Sequence, residues 1–349
     1  MQETFPTRCV RRNETAFFGT LRQPSFWFAA AMLAIVTPAL TAQEVASPGR
    51  NVVANVALTN GALTYDVRLR GKTFLEPSPL GLETSIGSFA SGLALAGSEI
   101  RSLDEAYELP HGKVRRVHYK ANELTSRFTN AQNDSLEVIF RVSDRDVAFA
   151  YRISSSRKRR VVIQRELTGF KLPSTATAFV TPQVRWGGGF AASKPSYEEA
   201  YMMEVAVGTK SRTTLGFTFP ALFRNADAGW MLISETGVSS GYAGTRLSDP
   251  TSDGLYSVAF PDAAENGGVG DATVSGALPL LTSWKTITVG ETLAPIVETT
   301  VATDVVKPLY EPSQVYRPGR ATWSWLLWQD PSMNVADQQR FIKLAADLG

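Results

Sequence analysis

The stretch GALTYDVRLRG (residues 61–71) indicates the fold class, because its apolar residues fall at every second position. Leu63, Tyr65, Val67 and Leu69 occupy one side of an extended chain, and mostly polar residues occupy the other side. A glycine stands at each end of the run, as is typical of turns. The pattern predicts a half-buried β-strand bounded by turns.

The same alternation recurs through most of the chain. SLEVIFRVSDRDVAFAYRIS (135–154) predicts two strands joined by a turn at residues 143–146. About fifteen short strands of this kind are predicted between residues 51 and 307, with no long helix before residue 290. Strands at this spacing indicate packed antiparallel sheets, and a length of about 250 residues indicates an enlarged sandwich.

The pattern changes towards the C-terminus. Residues 293–306 have helical spacing and are expected to pack against the sandwich, and a proline-containing linker follows over residues 308–320. ATWSWLLW (321–328) is apolar at nearly every position, which predicts a strand buried on both faces. A last helix is predicted with Asn334 as its N-cap and Asp337 three residues further on. One strand and one helix cannot cover both faces of that strand, so we expect the sequence to be truncated or completed by strands from elsewhere.

The N-terminus carries a predicted export signal. FWFAAAMLAIVTPAL (26–40) is an apolar run that follows four arginines, and small residues favour cleavage after Ala42. Cleavage would remove Cys9, the single cysteine, and leave a chain suited to an oxidising compartment. We therefore predict a signal peptide over residues 1–42 and a periplasmic or extracellular mature chain outside the membrane. An uncleaved N-terminal anchor is the alternative.

Composition argues against several classes of function. The formal net charge of +2, from 35 basic and 33 acidic residues, gives no case for a nucleic-acid partner. A single cysteine excludes a disulfide framework and a cysteine-based metal site within one chain. The two histidines, His111 and His118, share a basic segment that predicts a surface hairpin rather than a catalytic site. Asp144 and Asp146 offer too few oxygens for a calcium loop.

Several segments, in their order and spacing, resemble glycoside hydrolase family 97. RPGRATWSWLLWQDPSMNVADQQRFIKLAADLG (317–349) resembles the start of that family's catalytic barrel, and GALTYDVRLRGKTFLEPSPLGLET (61–84) resembles its opening strands. YEEAY (197–201) resembles its Tyr-Glu-x-x-Tyr element, and TLGFTFPALFRNADAGWMLISETGV (214–238) fits its paired central strands. The resemblance extends over nearly the whole chain that follows the predicted signal peptide.

The resemblance implies a large β-sandwich of the galactose-mutarotase type over residues 43–307. After the linker, residues 321–349 would be the first strand and helix of a truncated (β/α)8 barrel. It further implies an exported, calcium-dependent α-glucosidase or α-galactosidase that acts on oligosaccharides or glycosides. The catalytic carboxyl groups would lie on later barrel strands, so no catalytic residue is assigned and the chain alone is expected to be inactive. The sugar, the anomeric outcome and the oligomeric state stay open.

Glu198, within the YEEAY element, is the residue that the resemblance marks as a calcium ligand. Calcium takes hard oxygen ligands, and a carboxylate supplies both oxygen and charge. Glu199 is the alternative in register, and Glu204 is a weaker one. Any of the three could instead be an ordinary surface carboxylate.

Trp325, Trp328 and Asp330 are the candidate sugar-binding residues. They stand near or just beyond the C-terminal end of the first predicted barrel strand, where barrel enzymes place their sites, and aromatic faces stack on sugar rings. With Trp323, these tryptophans could instead fill the space between barrel and sandwich. Arg320, at the opposite end of the strand, is predicted to be structural.

A second class of function is also open from the sequence. A sandwich of this kind could bind carbohydrate without any chemistry, for which a groove with aromatic side chains is enough. The reading frame beyond Gly349 discriminates between the two, because an enzyme needs further barrel strands with inward-facing carboxylates.

Overall fold

The computed structural model describes residues 40–110, 112–185, 200–310, 313–314 and 321–349, together with Gly19 and Gly319. The chain divides into two units, residues 1–38 and 39–349, and all the elements below belong to the second. The predicted signal peptide lies outside the described residues, apart from Gly19 and the three residues that begin the first strand. None of the helices in the described ranges combines the length and apolar character needed to cross a bilayer.

Antiparallel strands are the main secondary structure of the described chain, which confirms the mainly β prediction. In chain order they are β1 (Leu40–Ala46), β2 (Val52–Thr59), β3 (Ala62–Leu69), β4 (Lys72–Leu80), β5 (Leu82–Thr84), β6 (Gly87–Ser88), β7 (Ala94–Glu108), β8 (Arg116–Thr129), β9 (Ser135–Val142), β10 (Asp146–Ser154), β11 (Arg160–Glu166), β12 (Gly169–Lys171), β13 (Ala176–Pro182), β14 (Met202–Ala206), β15 (Phe217–Asn225), β16 (Gly229–Thr236), β17 (Arg246–Leu247), β18 (Leu255–Ala259), β19 (Val274–Ala277), β20 (Leu280–Leu281) and β21 (Trp284–Gly290).

Helices are short and lie mostly towards the C-terminus. They are α1 (Ala294–Glu298), α2 (Val301–Val305), α3 (Trp325–Trp328) and α4 (Val335–Asp347), with 3₁₀ turns at Glu265–Gly268 and Asp330–Ser332.

Two runs of paired strands form the sandwich. One run is β7–β8–β9–β10–β21–β16–β15–β13–β14. The other is β1–β2–β3–β4–β12–β18–β17, and it joins β15 where Phe217 is opposite Leu247. A smaller sheet, β19–β11–β5–β6, lies beside them. Apolar side chains from all three sets share one core cluster, so the sheets pack around a common interior.

Stacked aromatic rings join the two runs at the centre of that interior. Tyr65 of β3 lies 5.0 Å, between ring centroids, from Phe149 of β10, which stacks at 5.0 Å on Phe140 of β9. The Tyr65 hydroxyl donates a hydrogen bond to the carbonyl oxygen of Gly169 at 3.0 Å, so its polar end is satisfied inside the core. The alternating residues predicted for these three strands are all buried, which confirms their predicted inward face.

The outer faces of β9, β10 and β21 are covered by the short helices that follow β21. Val301 and Val305 of α2 pack with Trp284 and with Ala148 and Ala150. This is the helical, sandwich-packed segment predicted for residues 293–306, although it forms two separate short helices. With helices outside and the core inside, β21 is buried at all seven of its positions.

The prediction of a strand at residues 321–328 is wrong. In the structure these residues form an irregular segment, a turn and the helix α3. Among the described residues no strand pairs with them, and a lone strand would leave its backbone groups without partners. A helical turn satisfies them locally, since the amide of Trp328 donates to the carbonyl of Ser324 at 2.9 Å. The following helix is as predicted: the side chain of Asn334 accepts from the amide of Asp337 at 3.0 Å, which caps α4.

We predict that Phe149→Ala lowers the free energy of unfolding by about 3–5 kcal/mol, because it leaves a cavity between rings from both runs of strands. Urea unfolding followed by tryptophan fluorescence measures the loss. Ile100→Ala is the matched control, since Ile100 is 59% exposed on β7 and its removal should change stability by about 0.5 kcal/mol or less. Equal unfolding midpoints for the two variants would contradict this account of the core.

Candidate functional site

The predicted calcium ligand Glu198, with its alternative Glu199, lies outside the described residues. The chain that carries both connects β13 to β14, which pair antiparallel with Val180 opposite Met202. Its first residues are fastened to a neighbouring loop: the Thr213 hydroxyl donates to the Gln183 carbonyl at 2.5 Å, and Arg185 donates to the Thr213 carbonyl at 3.0 Å. The connection that contains Glu198 therefore begins with residues that hydrogen bonds hold in place.

The described part of the chain does not contain a complete calcium site. Glu204, the weaker candidate, is exposed on β14 and has a left-handed backbone angle φ of 52°. No group of three or more histidine, cysteine, aspartate or glutamate side chains that could hold a metal occurs among the described residues. The described residues thus do not assemble the six to eight oxygen ligands that calcium takes.

The candidate sugar-binding residues are partly brought together in the C-terminal segment. The indole nitrogen of Trp325 donates to a carboxylate oxygen of Asp330 at 2.7 Å, and Trp323 stacks on Trp325 with centroids 6.0 Å apart. Trp328 makes an edge contact with Phe341 of α4 at 5.0 Å. Trp323 and Trp328 are 59% and 42% exposed. These side chains form an open aromatic surface with one hydrogen-bonded carboxylate.

A buried charged cluster, which the sequence analysis missed, lies where β21 meets the small sheet. It consists of Lys285, Glu166, Glu235, Tyr242 and Ser283, and we call it the Lys285 cluster. The Lys285 ammonium is 3.2 Å from Glu166 Oε2 and 3.4 Å from Glu235 Oε2, and it donates to the Ser283 hydroxyl at 2.9 Å. The Tyr242 hydroxyl donates to Glu166 Oε2 at 3.2 Å. The Lys285 side chain is only 1% exposed, so these contacts replace water around the ammonium.

One signal in the sequence could have revealed the cluster. The signal is Lys285 within the otherwise uncharged strand segment SWKTITVG (283–290). Because this strand is buried, its lysine needs a buried carboxylate as a partner. The partner, Glu166, is 119 positions earlier in the sequence, and no local pattern links the two.

Another buried carboxyl group, that of Asp146, fastens the helices to the sheet. Its Oδ1 accepts from the hydroxyls of Thr288 at 2.6 Å and Thr299 at 2.8 Å, which joins the starts of β10 and α2 to β21. Burial raises the pKa of Asp146 to about 6, an effect that the two hydroxyl donors oppose. Burial likewise raises the pKa of Asp304 on α2, whose Oδ1 accepts from the Tyr107 hydroxyl at 2.7 Å. Both carboxyl groups line a cavity of about 500 Å³.

The other titratable candidates have structural roles. Asp144 accepts from the Ser47 hydroxyl at 2.6 Å and from the Gly49 amide at 2.9 Å, which supports the turn before β2. His118 is exposed on β8, 2.6 Å from Asp104 across the hairpin, as expected for a surface position. His111 lies outside the described residues.

The family model described as "Glycosyl-hydrolase 97 N-terminal" matches residues 45–308, which include the sandwich and the helices that cover it. The chain belongs to glycoside hydrolase family 97. This confirms the resemblance and the large sandwich. In family terms, the Lys285 cluster and Asp146 are parts of the N-terminal domain.

Similar proteins named in two further comparisons are longer than this chain. A probable retaining alpha-galactosidase of Streptomyces bingchenggensis is 30% identical over 294 residues, which are 83% of this chain and 42% of that protein. A crystal structure of a beta-arabinopyranosidase is 48% identical with a TM-score of 0.84, and the match covers 88% of this chain and 49% of the other. A family 97 enzyme from Pseudoalteromonas sp. strain K8, solved with acarbose, has a TM-score of 0.64 at 22% identity and covers 76% and 38%. The chain therefore spans less than half the length of these relatives.

We predict that Lys285→Met destabilises the domain by about 3–5 kcal/mol, because it leaves the buried carboxylate of Glu166 and the largely buried one of Glu235 without their cation. Urea unfolding gives the free energy. Lys120→Met is the matched control, since Lys120 pairs with Asp104 at 3.3 Å on an open surface and such pairs contribute about 1 kcal/mol or less. A Lys285→Met variant as stable as the control would show that the ammonium is not needed in the core.

The pKa of Asp146 predicts a stability change with pH. Its folded-state pKa of about 6 lies above the ordinary 3.8, so the folded protein binds this proton more tightly than the unfolded chain. The proton therefore stabilises the fold at low pH, and this contribution is lost as pH rises from about 4 through about 6. Asp146→Asn removes the titration.

The stability of Asp146→Asn relative to wild type should rise by about 3 kcal/mol between about pH 4 and pH 7 and then stay level. Unfolding free energies of both proteins across that range measure this difference, in which titrating groups that do not interact with Asp146 cancel. A difference that does not vary with pH would contradict the assignment.

Proposed function

We propose that this chain is the N-terminal part of an exported glycoside hydrolase that cleaves α-linked galactosides or glucosides. The family match over residues 45–308 carries the proposal, because it covers nearly the whole sandwich. In this proposal the sandwich supports the active site, and the connection from β13 to β14 contributes Glu198 as a calcium ligand. Trp325, Trp328 and Asp330 border the sugar. Export fits a chain without cysteine after residue 42.

Two relatives favour a substrate of galacto configuration. One is named a probable retaining alpha-galactosidase, and the other is a beta-arabinopyranosidase at 48% identity. An L-arabinopyranoside in the β configuration has the ring stereochemistry of an α-galactopyranoside and lacks its hydroxymethyl group. Both names therefore fit one arrangement of ring hydroxyls. The complexes with acarbose and panose belong to a relative at 22% identity, which supports the fold rather than the sugar.

The chemistry needs two carboxyl groups on either side of the scissile bond. One protonates the leaving oxygen, and the other attacks the sugar or activates water. In the proposal these groups lie in the half of the protein that this chain does not span, and the sandwich residues orient and support them. The chain by itself is expected to be inactive for this reason.

The first test compares this chain with the product of the gene read in frame past the codon for Gly349. We expect the longer product to hydrolyse nitrophenyl α-galactoside or β-L-arabinopyranoside faster than nitrophenyl α-glucoside, and the 349-residue chain to hydrolyse none of them above the buffer rate. Hydrolysis by the 349-residue chain at a normal enzymatic rate would overturn its inactivity. A stop codon directly after Gly349 would favour a carbohydrate-binding module without chemistry.

The calcium assignment has its own test in the longer product. Glu198→Gln should raise the calcium concentration needed for half-maximal activity by about tenfold or more, because metal sites lose at least this much when a supporting group is removed. Glu199→Gln and Glu204→Gln are the matched controls and should leave it unchanged. If Glu199→Gln shows the effect instead, the ligand is the neighbouring residue, and if none of the three does, none of these glutamates is a calcium ligand.

A further inference from the structure

Four consecutive basic residues lie in SSSRKRR (154–160), the connection from β10 to β11. The four are Arg157, Lys158, Arg159 and Arg160, and all of them are exposed. Of these four, only Arg157 has a carboxylate partner among the described residues. The whole chain has a formal net charge of only +2, so the run concentrates positive charge in one place.

Hydrogen bonds hold the backbone of this connection in place. The Ser155 hydroxyl accepts from the amides of Arg157 and Lys158, each at 3.1 Å. The Arg159 carbonyl accepts from the amide of Leu278 at 2.8 Å. The cations are therefore presented on a fixed turn, and binding a ligand there would cost little backbone entropy.

The Arg157 side chain joins the connection to the hairpin formed by β8 and β9. Its guanidinium is 2.7 Å from Asp134 Oδ2, and the Asp134 side chain is fully buried. On the same hairpin, the Glu137 carboxylate lies between Arg127 at 2.6 Å and Arg152 at 2.8 Å. Both of these arginines are about half exposed. We define the basic corner as Arg127, Arg152 and residues 157–160.

The basic corner holds more cations than carboxylates. Among the described residues, Asp134 and Glu137 pair with its side chains, and Glu99 lies beside Arg127. Six basic side chains against these three acidic ones leave an excess of positive charge. A fixed surface with such an excess attracts polyanions, and arginine matches carboxylates and tetrahedral oxyanions through paired hydrogen bonds.

The surroundings of the basic corner favour a soluble polymer over a lipid surface. In the described part of the chain, no large apolar side chain is exposed between residues 101 and 200. Leu281, opposite Arg152 across the sheet, is 41% exposed. A basic patch holds a protein stably on a membrane only together with an apolar anchor, and one leucine supplies little of it.

We propose that the basic corner binds an anionic polysaccharide, whose carboxylate or sulfate groups contact Lys158, Arg159 and Arg160. That the polymer is a carbohydrate rests on the proposed function, whereas the preference for anions rests on the corner alone. The corner keeps the enzyme at a charged polymer and is separate from the site that cleaves the glycosidic bond.

The test measures binding of the 349-residue chain to fluorescein-labelled polymers by fluorescence anisotropy. Dextran sulfate presents sulfates, oligogalacturonate presents carboxylates, and dextran presents neither. We expect binding to one or both of the anionic polymers and none to dextran, with affinity that falls as salt rises, because salt screens exposed charges. Binding to one of the two identifies the preferred group, and binding to both indicates recognition of charge alone.

The double variant Lys158→Ser, Arg159→Ser should weaken binding about tenfold, because it removes two of the cations that meet the polymer. Neither side chain makes an ion pair among the described residues, so the fold should be kept. The matched control is Arg115→Ser, Arg116→Ser. It also removes two charges, from the β7–β8 hairpin, where these side chains are 82% and 87% exposed. Its affinity should equal that of the unmodified chain.

Failure of both anionic polymers to bind would overturn the proposal. So would unchanged binding by the Lys158 and Arg159 variant, or an equal loss in the control, which would assign the effect to overall charge. Tighter binding to phosphatidylglycerol vesicles than to either polymer would assign the corner to a membrane. Hydrolysis is not part of these measurements. An inactive longer product whose 349-residue part still binds the polymer would therefore contradict the proposed function alone, and an active one without polymer binding would contradict the basic corner alone.

Discussion

The burial of β21 on both faces is the constraint on which the rest of the sandwich depends. The strand is hydrogen-bonded to β10 on one side and β16 on the other, and its residues alternate between two dry environments. Ile287 and Val289 enter the main core, while Trp284 faces the helices that follow the strand. Every polar side chain on β21 must therefore find its partner inside the protein.

Two polar residues of β21 meet this requirement in different ways. Thr288 donates to the buried carboxyl group of Asp146, whose raised pKa keeps it close to neutral in mildly acid conditions. Lys285 instead shares its charge with Glu166 and Glu235. The first arrangement fastens the covering helices through Thr299, and the second joins the main sheet to the small one through β11. The polar contacts of one strand thus fix the layers on both of its sides.

The sequence predicts the elements that obey a local period and misses those that depend on distant partners. The alternation in β3, β9 and β10 is a property of the strands themselves, and so is the cap that Asn334 provides. The apolar run at residues 321–328 has no period of its own. A strand there needs neighbours, and the structure supplies a helical turn instead. The partners of Lys285 come from β11 and β16, which no pattern within SWKTITVG could indicate.

The candidate sites follow the same division. The resemblance points to Glu198 through a short motif. The tryptophans can be picked out from the sequence because three of them stand close together. The Lys285 cluster is different, since its charged members come from β11, β16 and β21 and leave no trace in any one of these strands alone. The Glu166 carboxylate, whose Oε1 lacks a partner among the described residues, is retained at a cost in stability, and the stable alternative would be a neutral side chain of similar volume.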